Sequence, residues 1–257
     1  MASQQPRGVR TESDGPVLRI VLARPESANA FDIPATLALR EALDQAEDDR
    51  HSAVLLTGEG PRFCAGGDVT SFAAAPEGER AAYLHELATM LEGELRRLAA
   101  LPKPVVTAVH GAVAGAGLAF VLSSDIVVAA RSTKFVWAYA GVGLTPDCGV
   151  SYLLPRAVGL PRALDLAIGG TVLTAEMAQD WGLVARVAQD DEVQTTASEL
   201  AQSLAGGPTG AHAQAARLLR RAFEVDRDTH AADEAATIAD RVSTPEAAAL
   251  LERFAAR

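Results

Sequence analysis

The sequence has little cysteine, few aromatic residues and no excess of positive charge. Only two of its 257 residues are cysteines, Cys64 and Cys148, which provide neither a disulfide framework nor a metal-ligand spacing. The net charge of −10 argues against nucleic acid or an anionic membrane surface as the main partner. Residues 1–7 lack the apolar segment of a signal peptide. We therefore expect a cytoplasmic protein that binds neither metal nor nucleic acid.

Long hydrophobic runs are also scarce. Residues 105–122 are mostly apolar and about long enough to span a membrane. His110, the glycines of the run and the polar residues after it favour a buried strand and helix instead, so we expect no membrane partner. There is no internal repeat, and 49% of the residues are hydrophobic. This length and composition suit one large domain, or one domain with an appendage.

A glycine-rich stretch, residues 110–117, stands at the centre of the chain and reads His-Gly-Ala-Val-Ala-Gly-Ala-Gly. It follows the β-branched run Val105–Val109 and precedes an apolar, helix-compatible run, residues 118–122. A strand, a glycine turn and a helix together expose backbone N–H groups, which carry partial positive charge at a helix start. Such a stretch is suited to bind a negative or polarised oxygen.

Two other readings of this stretch are open. The glycines could simply allow tight packing between the strand and the helix. A dinucleotide fingerprint fits poorly, because Phe120 stands where the third glycine of that motif should be. A second glycine turn, Phe-Cys-Ala-Gly-Gly-Asp at residues 63–68, follows an earlier strand in the same manner.

Strands and helices alternate over the first part of the chain, which predicts an α/β fold for residues 1–191. A long loop is expected at residues 135–149. From residue 192 to residue 257 the chain reads as helices only, with short apolar faces at residues 218–223 and 250–254. This region could pack on a neighbouring subunit or form a helical tail on its own core. The expected strands are Val17–Leu22, 54–57, Val105–Val109, Ile126–Ala130 and 183–187, and the expected helices are 34–46, 79–100, 118–122, 149–158, 161–168 and one capped by Thr174.

Five short segments, taken in order, resemble the crotonase (enoyl-CoA hydratase/isomerase) superfamily. They are Arg-Pro-Glu-Ser-Ala-Asn-Ala at 24–30, the turn at 63–68, the strand and glycine stretch at 104–117, Ser-Asp-Ile at 124–126 and Gly-Leu-Thr-Pro-Asp at 143–147. The resemblance implies a spiral of ββα units followed by a C-terminal helical region that forms a homotrimer or a dimer of trimers. It also implies an acyl-CoA thioester substrate, with no cofactor beyond the coenzyme A of the substrate.

The resemblance further implies an oxyanion hole made of two backbone N–H groups, those of Gly67 and Ala116. This agrees with the reading of both glycine turns, because a thioester enolate places its charge on one oxygen. One such donor is typically worth roughly 3 kcal/mol of barrier. The other residues expected to bind the substrate are Arg24, Ala28, Ala65, Gly66, Asp68, Gly115 and Trp137.

The sequence departs from the family at the positions that add water in hydratases. The two glutamates of that reaction would stand at Ala119 and Tyr139, so hydration by paired acids is doubtful. In isomerase branches of the family, an acidic residue at the position of Asp147 shuttles a proton. Asp147 could instead cap the helix that starts near Gly149. Tyr139 is expected to shape the acyl pocket and could donate a proton.

Three further residues have more than one reading. Arg24 could meet a phosphate of coenzyme A or be a solvated surface charge. Asp68 could support the substrate site or serve only as a turn residue. His110 is expected to be a hydrogen-bonded structural residue rather than a base. The resemblance, together with the missing glutamates, implies an isomerase that converts 3-enoyl-CoA to 2-enoyl-CoA. The alternatives are a divergent hydratase or other enolate chemistry on CoA esters, and an acyl-CoA-binding protein without activity.

Overall fold

Two β-sheets surrounded by helices make up the part of the chain, residues 8–256, that a computed structural model describes. The interpretation of residues 1–7 as lacking a signal peptide lies outside these residues. The strands are β1 (Val9–Asp14), β2 (Val17–Leu22), β3 (Ala53–Gly58), β4 (Val105–Val109), β5 (Ala112–Ala114), β6 (Ile126–Ala130), β7 (Lys134–Val136), β8 (Leu173–Thr174) and β9 (Arg186–Ala188). The helices are α1 (Ile33–Ala46), α2 (Val69–Ala74), α3 (Arg80–Ala99), α4 (Ala116–Ser123), α5 (Val150–Val158), α6 (Leu160–Leu164), α7 (Ala175–Asp180), α8 (Val193–Ala205), α9 (Thr209–Arg221), α10 (Arg227–Val242) and α11 (Pro245–Ala255).

The larger sheet has the order β1-β2-β3-β4-β6-β9, and all its neighbours are parallel except β1 and β2. Alternate residues of its strands enter two separate hydrophobic clusters, one on each face. In β2, for example, Leu18 and Ile20 pack on one face and Val17 on the other. Burial on both faces explains why these strands read as continuous apolar runs in the sequence.

The units β1-β2-α1, β4-β5-α4 and β6-β7-α5 repeat along the chain. In the last two units, the first strand joins the larger sheet and the second joins a small sheet of order β5-β7-β8. This is the predicted arrangement of ββα units. It positions the site because β5, a strand of the small sheet, leads directly into the turn before α4.

Several short elements differ from the prediction. Residues 112–114 were expected in a glycine turn and residues 135–149 in a loop, but the structure forms the three-residue strands β5 and β7 there. Strands this short show no periodicity in a sequence. The edge strand β1 was not predicted, because most of its residues are polar. The helix α2 was not predicted either, since it has only six residues and buries none of them. The last strand lies at β9 rather than at 183–187.

The helical region begins at α8, close to the predicted residue 192. Helix α8 buries Val193, Ala197 and Ala201 against the outer face of the larger sheet. Helices α9–α11 have almost no buried residues. The division of the chain at residue 191 stays a prediction, since α8 packs as part of the core. Among the described residues, no helix combines the length and apolar character needed to cross a bilayer.

Candidate active site

The two glycine turns lie side by side in the structure. The segment that enters the first turn runs parallel to β5, with a bridge between Cys64 and Val113. The N–H of Phe63 donates a hydrogen bond to the carbonyl of His110 at 2.9 Å. The N–H of Ala114 donates one to the carbonyl of Cys64, also at 2.9 Å. Gly67 lies three residues after Cys64, and Ala116 lies three residues after Val113. This parallel register places the two turns next to each other.

Glycine is needed where the turns touch. A Cβ on Gly117 would lie 2.5 Å from the carbonyl oxygen of Cys64, which is closer than real Cβ atoms come. A Cβ on Gly66, whose φ is +109°, would lie 3.3 Å from the amide nitrogen of Ala116. A Cβ on Gly115 would lie 3.2 Å from the Cα of Gly66. The small residues of both turns therefore serve a close backbone approach.

The backbone N–H groups of Gly67 and Ala116 have no protein acceptor among residues 8–256. Ala116 is the first residue of α4, where the helix dipole places partial positive charge. An oxygen that gains negative charge could accept hydrogen bonds from both groups. Their convergence on one point about 3 Å away stays a prediction.

The loop between β2 and α1 forms a third wall of the site. The carbonyl of Ala28 accepts a hydrogen bond from the N–H of Ala65 at 3.0 Å, and that of Gly66 accepts one from Phe31 at 2.8 Å. Asn29, missed by sequence reasoning, is 2% exposed and adopts a left-handed φ of 56°. Its side chain donates to the carbonyls of Glu59 and Arg62. Asn29 thus fixes the loop, whereas substrate contacts of Ala28, Ala65, Gly66 and Gly115 stay predictions.

Arg24 holds this loop through two carboxylates. Its guanidinium lies 3.0 Å from Asp32 and 2.9 Å from Asp68, and it donates to the carbonyl of Ala30 at 2.8 Å. Arg24 is therefore a partly buried structural cation, and its contact with a CoA phosphate stays a prediction. His110 has the expected structural role, because its Nε2 lies 2.9 Å from the carbonyl oxygen of Gly60.

Asp68 joins the first glycine turn to α2. One oxygen accepts hydrogen bonds from the N–H groups of Thr70 and Ser71, and the other pairs with Arg24. Burial alone would raise the pKa of Asp68, but the Ser71 amide and the Arg24 guanidinium outweigh burial and lower it. Asp68 also lines a surface cavity of about 560 Å³ beside α2, together with Glu26, Ser27 and Val69. This cavity adjoins the first glycine turn.

Asp147 is held by Tyr139. The phenol of Tyr139 donates a hydrogen bond to Oδ1 of Asp147 at 2.9 Å. Tyr139 is only 8% exposed, and burial, reinforced by the charge of Asp147, raises its pKa, so the phenol stays a donor. Trp137 packs edge-on against Tyr139, with 5.2 Å between ring centroids. Trp137 thus supports Tyr139, and its contact with a substrate stays a prediction.

The backbone around Asp147 adopts an uncommon conformation. Cys148 has a left-handed φ of 50°, and Gly149 follows with a φ of 71°. The N–H of Val150 bonds to the carbonyl of Asp147, but α5 has no side-chain cap. The alternative reading of Asp147 as a helix cap is therefore wrong. A strained turn that leaves a carboxylate uncapped is typical of functional sites.

The thiol in this turn, that of Cys148, is buried. Burial raises the pKa of Cys148, and the charges of Asp147 and Glu92 add to the increase. Burial likewise raises the pKa of Cys64 to about 12, so both thiols are poor nucleophiles. Cys64, which enters the first glycine turn, and Cys148, which follows Asp147, pack in the same hydrophobic cluster as Ala116. That Asp147 faces the free amides stays a prediction.

Glu92, on α3, is a residue that sequence reasoning missed. Its Oε2 lies 3.3 Å from the position that a Cβ on Gly149 would occupy. Burial, with a contribution from the charge of Asp147, raises its pKa above the ordinary value, although Arg96 acts in the opposite direction. No sequence signal distinguishes Glu92 from the other charged residues of α3, because its position depends on how the helix packs.

The two positions that carry glutamates in hydratases offer no carboxylate. Ala119 is fully buried in α4, and Tyr139 serves as the donor to Asp147. The site thus combines two unpaired backbone donors with Asp147 and the nearby Glu92. Such a site can stabilise an enolate oxygen and move a proton at the adjacent carbon.

Comparisons with known proteins identify the family. The family model described as enoyl-CoA hydratase/isomerase matches residues 12–255. The chain is 44% identical over 194 residues to 1,2-epoxyphenylacetyl-CoA isomerase of Escherichia coli K12, which covers 75% of this chain and 74% of the relative. It is 32% identical over 210 residues to 4-chlorobenzoyl coenzyme A dehalogenase-2 of an Arthrobacter species, covering 81% and 76%.

The fold also matches solved structures. The crystal structure of an enoyl-CoA hydratase from Polaromonas sp. JS666 superimposes with a TM-score of 0.89 at 31% identity, over 96% of each chain. The predicted spiral of ββα units with C-terminal helices is confirmed by this match. The chain belongs to the enoyl-CoA hydratase/isomerase family, the crotonase superfamily.

Proposed function

We propose that this enzyme moves the double bond of a 3-enoyl-CoA to give a 2-enoyl-CoA, with Asp147 as the base. The observation that carries this assignment is the hydrogen bond of 2.9 Å between the Tyr139 phenol and an Asp147 carboxylate that caps no helix. A polar donor thus orients a carboxylate that has no structural task in its own helix. The free amides of Gly67 and Ala116 supply the oxyanion hole.

The reaction needs one proton to leave and one to arrive. The Asp147 carboxylate takes the proton from C2, and the electron pair of the broken C–H bond moves into a dienolate whose charge rests on the thioester oxygen. The amides of Gly67 and Ala116 stabilise that oxygen. The protonated Asp147 then returns a proton at C4, and the double bond forms between C2 and C3. One base suffices, and no cofactor beyond the substrate's own coenzyme A takes part.

The names of the relatives support CoA-ester chemistry but differ in reaction. The relatives named above are an isomerase, a dehalogenase and a hydratase. Hydration is disfavoured here because Ala119 and Tyr139 replace both glutamates of that reaction. Isomerisation is favoured because it needs only one proton-transferring group.

A comparison of purified wild-type enzyme with Asp147→Asn tests the assignment. A straight-chain 3-enoyl-CoA, a 2-enoyl-CoA and 1,2-epoxyphenylacetyl-CoA are offered separately, and the products are identified by mass spectrometry and absorbance. We expect wild-type turnover of the 3-enoyl ester. The Asn variant should lose on the order of 10²–10⁴-fold in rate, since it cannot transfer a proton. Its melting temperature and affinity for a saturated acyl-CoA should not change.

Other outcomes separate the alternatives. Hydration of the 2-enoyl ester without isomerisation would make the protein a divergent hydratase. Binding of CoA esters without any turnover would make it a binding protein. Turnover by the Asn variant at the wild-type rate would remove Asp147 from the mechanism and make Tyr139 the next residue to test.

We further propose that the protein acts in the cytoplasm as a homotrimer or a dimer of trimers. Helices α9–α11 expose large apolar side chains, including Leu219 at 72%, Ile238 at 71% and Phe254 at 78%. Residues of these helices line an apolar cavity of about 560 Å³. Contiguous apolar surface of this kind marks an interaction site. The C-terminal helices of a second and third copy would cover it.

A further inference from the structure

Arg220, on α9, contacts the ends of two helices of the core. Its Nη1 donates a hydrogen bond to the carbonyl of Ala99 at 2.7 Å, and its Nη2 donates one to the carbonyl of Ser123 at 3.4 Å. Nη2 also lies 2.9 Å from the carboxylate of Asp125. Ala99 and Ser123 are the last residues of α3 and α4, and such final carbonyls have no partner within their own helices. One guanidinium therefore satisfies the carboxyl ends of both helices.

The groups that bind Arg220 are fixed in the core. The side chain of Asp125 is 16% exposed, and its second oxygen accepts a hydrogen bond from the N–H of Val105 at 2.7 Å. A cation is also favoured at the carboxyl end of a helix, where the helix dipole places partial negative charge. The next residue of α9 differs, because Arg221 pairs with Asp233 on α10. Arg220 thus joins α9 to the core, whereas Arg221 joins α9 to its neighbouring helix.

Helix α4 connects this contact to the candidate active site. It is eight residues long, begins at Ala116 and ends at Ser123, and nearly all of its side chains are buried. Near its start, Gly117 lies against the backbone of Cys64 in the first glycine turn. A short helix packed this closely moves as a rigid body, because a protein interior has little free space. A shift of its carboxyl end therefore shifts the Ala116 amide.

The core also has a contact of its own at this end of α4. The hydroxyl of Ser124 donates a hydrogen bond to the carbonyl of Phe120 at 2.7 Å, and it lies 2.6 Å from the hydroxyl of Thr107 on β4. These bonds do not involve α9. Loss of the Arg220 guanidinium should therefore displace α4 without unfolding it.

We propose that Arg220 is a positioning residue for the oxyanion hole and acts on it through α4. This inference rests on the proposed function, because it assigns Arg220 a role in placing the Ala116 donor. When α9 is docked, the guanidinium holds the carboxyl end of α4, and the amide at the other end stays in position for the thioester oxygen. Helix α9 belongs to the group α9–α11, whose exposed apolar side chains would meet other copies of the chain. Assembly and the oxyanion hole are therefore linked through this residue.

The first test compares kcat and KM for a 3-enoyl-CoA in the wild type, Arg220→Gln and Arg221→Gln. Arg220→Gln should lower kcat by on the order of 10²-fold, which is the cost of a misplacement of about 1 Å in a catalytic site. KM should change less than about twofold, because the donor acts mainly on the enolate. Arg221→Gln removes a cation from the same helix and should keep the wild-type constants. A wild-type kcat in Arg220→Gln would overturn the positioning role.

The fold of each variant is checked by its melting temperature, and Arg220→Lys provides a second variant if Arg220→Gln does not fold. Lysine keeps the cation but has a single nitrogen, so it cannot bind both helix ends in the geometry of the guanidinium. We expect a kcat between those of the wild type and Arg220→Gln. A wild-type kcat in Arg220→Lys would overturn the proposed hold on both helices.

A second measurement does not depend on turnover. Infrared spectroscopy of a bound saturated acyl-CoA, labelled with carbon-13 at the thioester carbonyl, reports the hydrogen bonds to the carbonyl oxygen. In the wild type and Arg221→Gln, the carbonyl band should lie at lower frequency than in solution, because the two amides polarise the bond. The displacement should be smaller in Arg220→Gln. An equal band position in all three proteins would overturn the positioning role. A displacement that depends on Arg220 without isomerase turnover would keep this role and reject only the proposed reaction.

Discussion

At the scale of single residues, the hydrogen bond between Tyr139 and Asp147 keeps the Asp147 side chain from capping the following helix. An exposed aspartate before a helix usually caps it, but here the side chain faces a buried phenol. The phenol cannot ionise at neutral pH, because burial and the neighbouring charge raise its pKa. It therefore acts as a permanent hydrogen-bond donor that holds the Asp147 side chain in place.

Tyr139→Phe should lower kcat/KM for a 3-enoyl-CoA by roughly tenfold, because the Asp147 carboxylate loses the hydrogen bond that holds it in place. A hydrogen bond to a charged group is worth about 1.5–3 kcal/mol. The measurement is kcat/KM for a 3-enoyl-CoA, with the melting temperature of the variant as a check that the fold is intact.

Tyr152→Phe is the matched control, because Tyr152 is 49% exposed and its hydroxyl donates no hydrogen bond among the described residues. It should leave kcat/KM unchanged. A wild-type kcat/KM in Tyr139→Phe would show that the phenol does not hold the base in place.

Residues of the site differ in how far the sequence predicted them. Asp147 could be named from the sequence as a candidate base, because it stands in a short motif in which an acid has a chemical role, and that role stays a prediction. Glu92 could not be named, since its place beside Gly149 depends on how α3 packs. Asn29 was also missed, because a left-handed residue that bonds two distant carbonyls has no local pattern.

At the scale of elements, the site depends on two glycine turns in direct contact. Gly117→Ala should disturb both, because its Cβ would lie 2.5 Å from the carbonyl oxygen of Cys64. Overpacking of this kind typically costs about 1–3 kcal/mol of unfolding free energy. We also expect kcat to fall more than KM rises, since the turns would move apart and the oxyanion donors with them. Urea denaturation and steady-state kinetics measure both effects.

Gly93→Ala is the control at a glycine without neighbours. Gly93 lies in the middle of α3, and nothing stands within 4 Å of its added Cβ. Alanine there should stabilise the protein by about 0.5–1 kcal/mol, because glycine loses more backbone freedom in a helix. If Gly117→Ala behaved like Gly93→Ala, the close approach of the two turns would not be needed for the fold or the reaction.

Long elements could be predicted and short ones could not. The helix expected at residues 79–100 is α3, and the strand expected at 105–109 is β4, because a sustained apolar pattern marked each. Strands β5 and β7 have only three residues each and depend on pairing with each other. Their partners come from different ββα units, so tertiary contacts rather than local sequence decide that they are strands.

At the scale of the whole molecule, the chain buries one part of its apolar surface and leaves another exposed. The larger sheet is covered on both faces, by α8 on one side and by the helices of the ββα units on the other. Helices α9–α11 have no such cover. They are linked by ion pairs, such as those of Asp233 with Arg217 and Arg221. The hydrogen bonds from Arg217 lower the pKa of Asp233 to about 2. Polar contacts therefore shape this region while its apolar side chains face outward.

The assembly of the molecule should depend on that exposed apolar surface. Phe254→Arg places a charge at the most exposed large apolar side chain of α11, so burial against another copy would leave the charge without water or a partner. We expect the wild type to sediment as a trimer or hexamer at micromolar concentration and the variant to shift toward monomer. Glu252→Arg, at an exposed position of the same helix, introduces the same cation without removing apolar area and should retain the wild-type mass. A wild-type monomer in sedimentation would reject the proposed assembly outright. A Phe254→Arg protein of unchanged mass would place the subunit contact on a different surface of the chain.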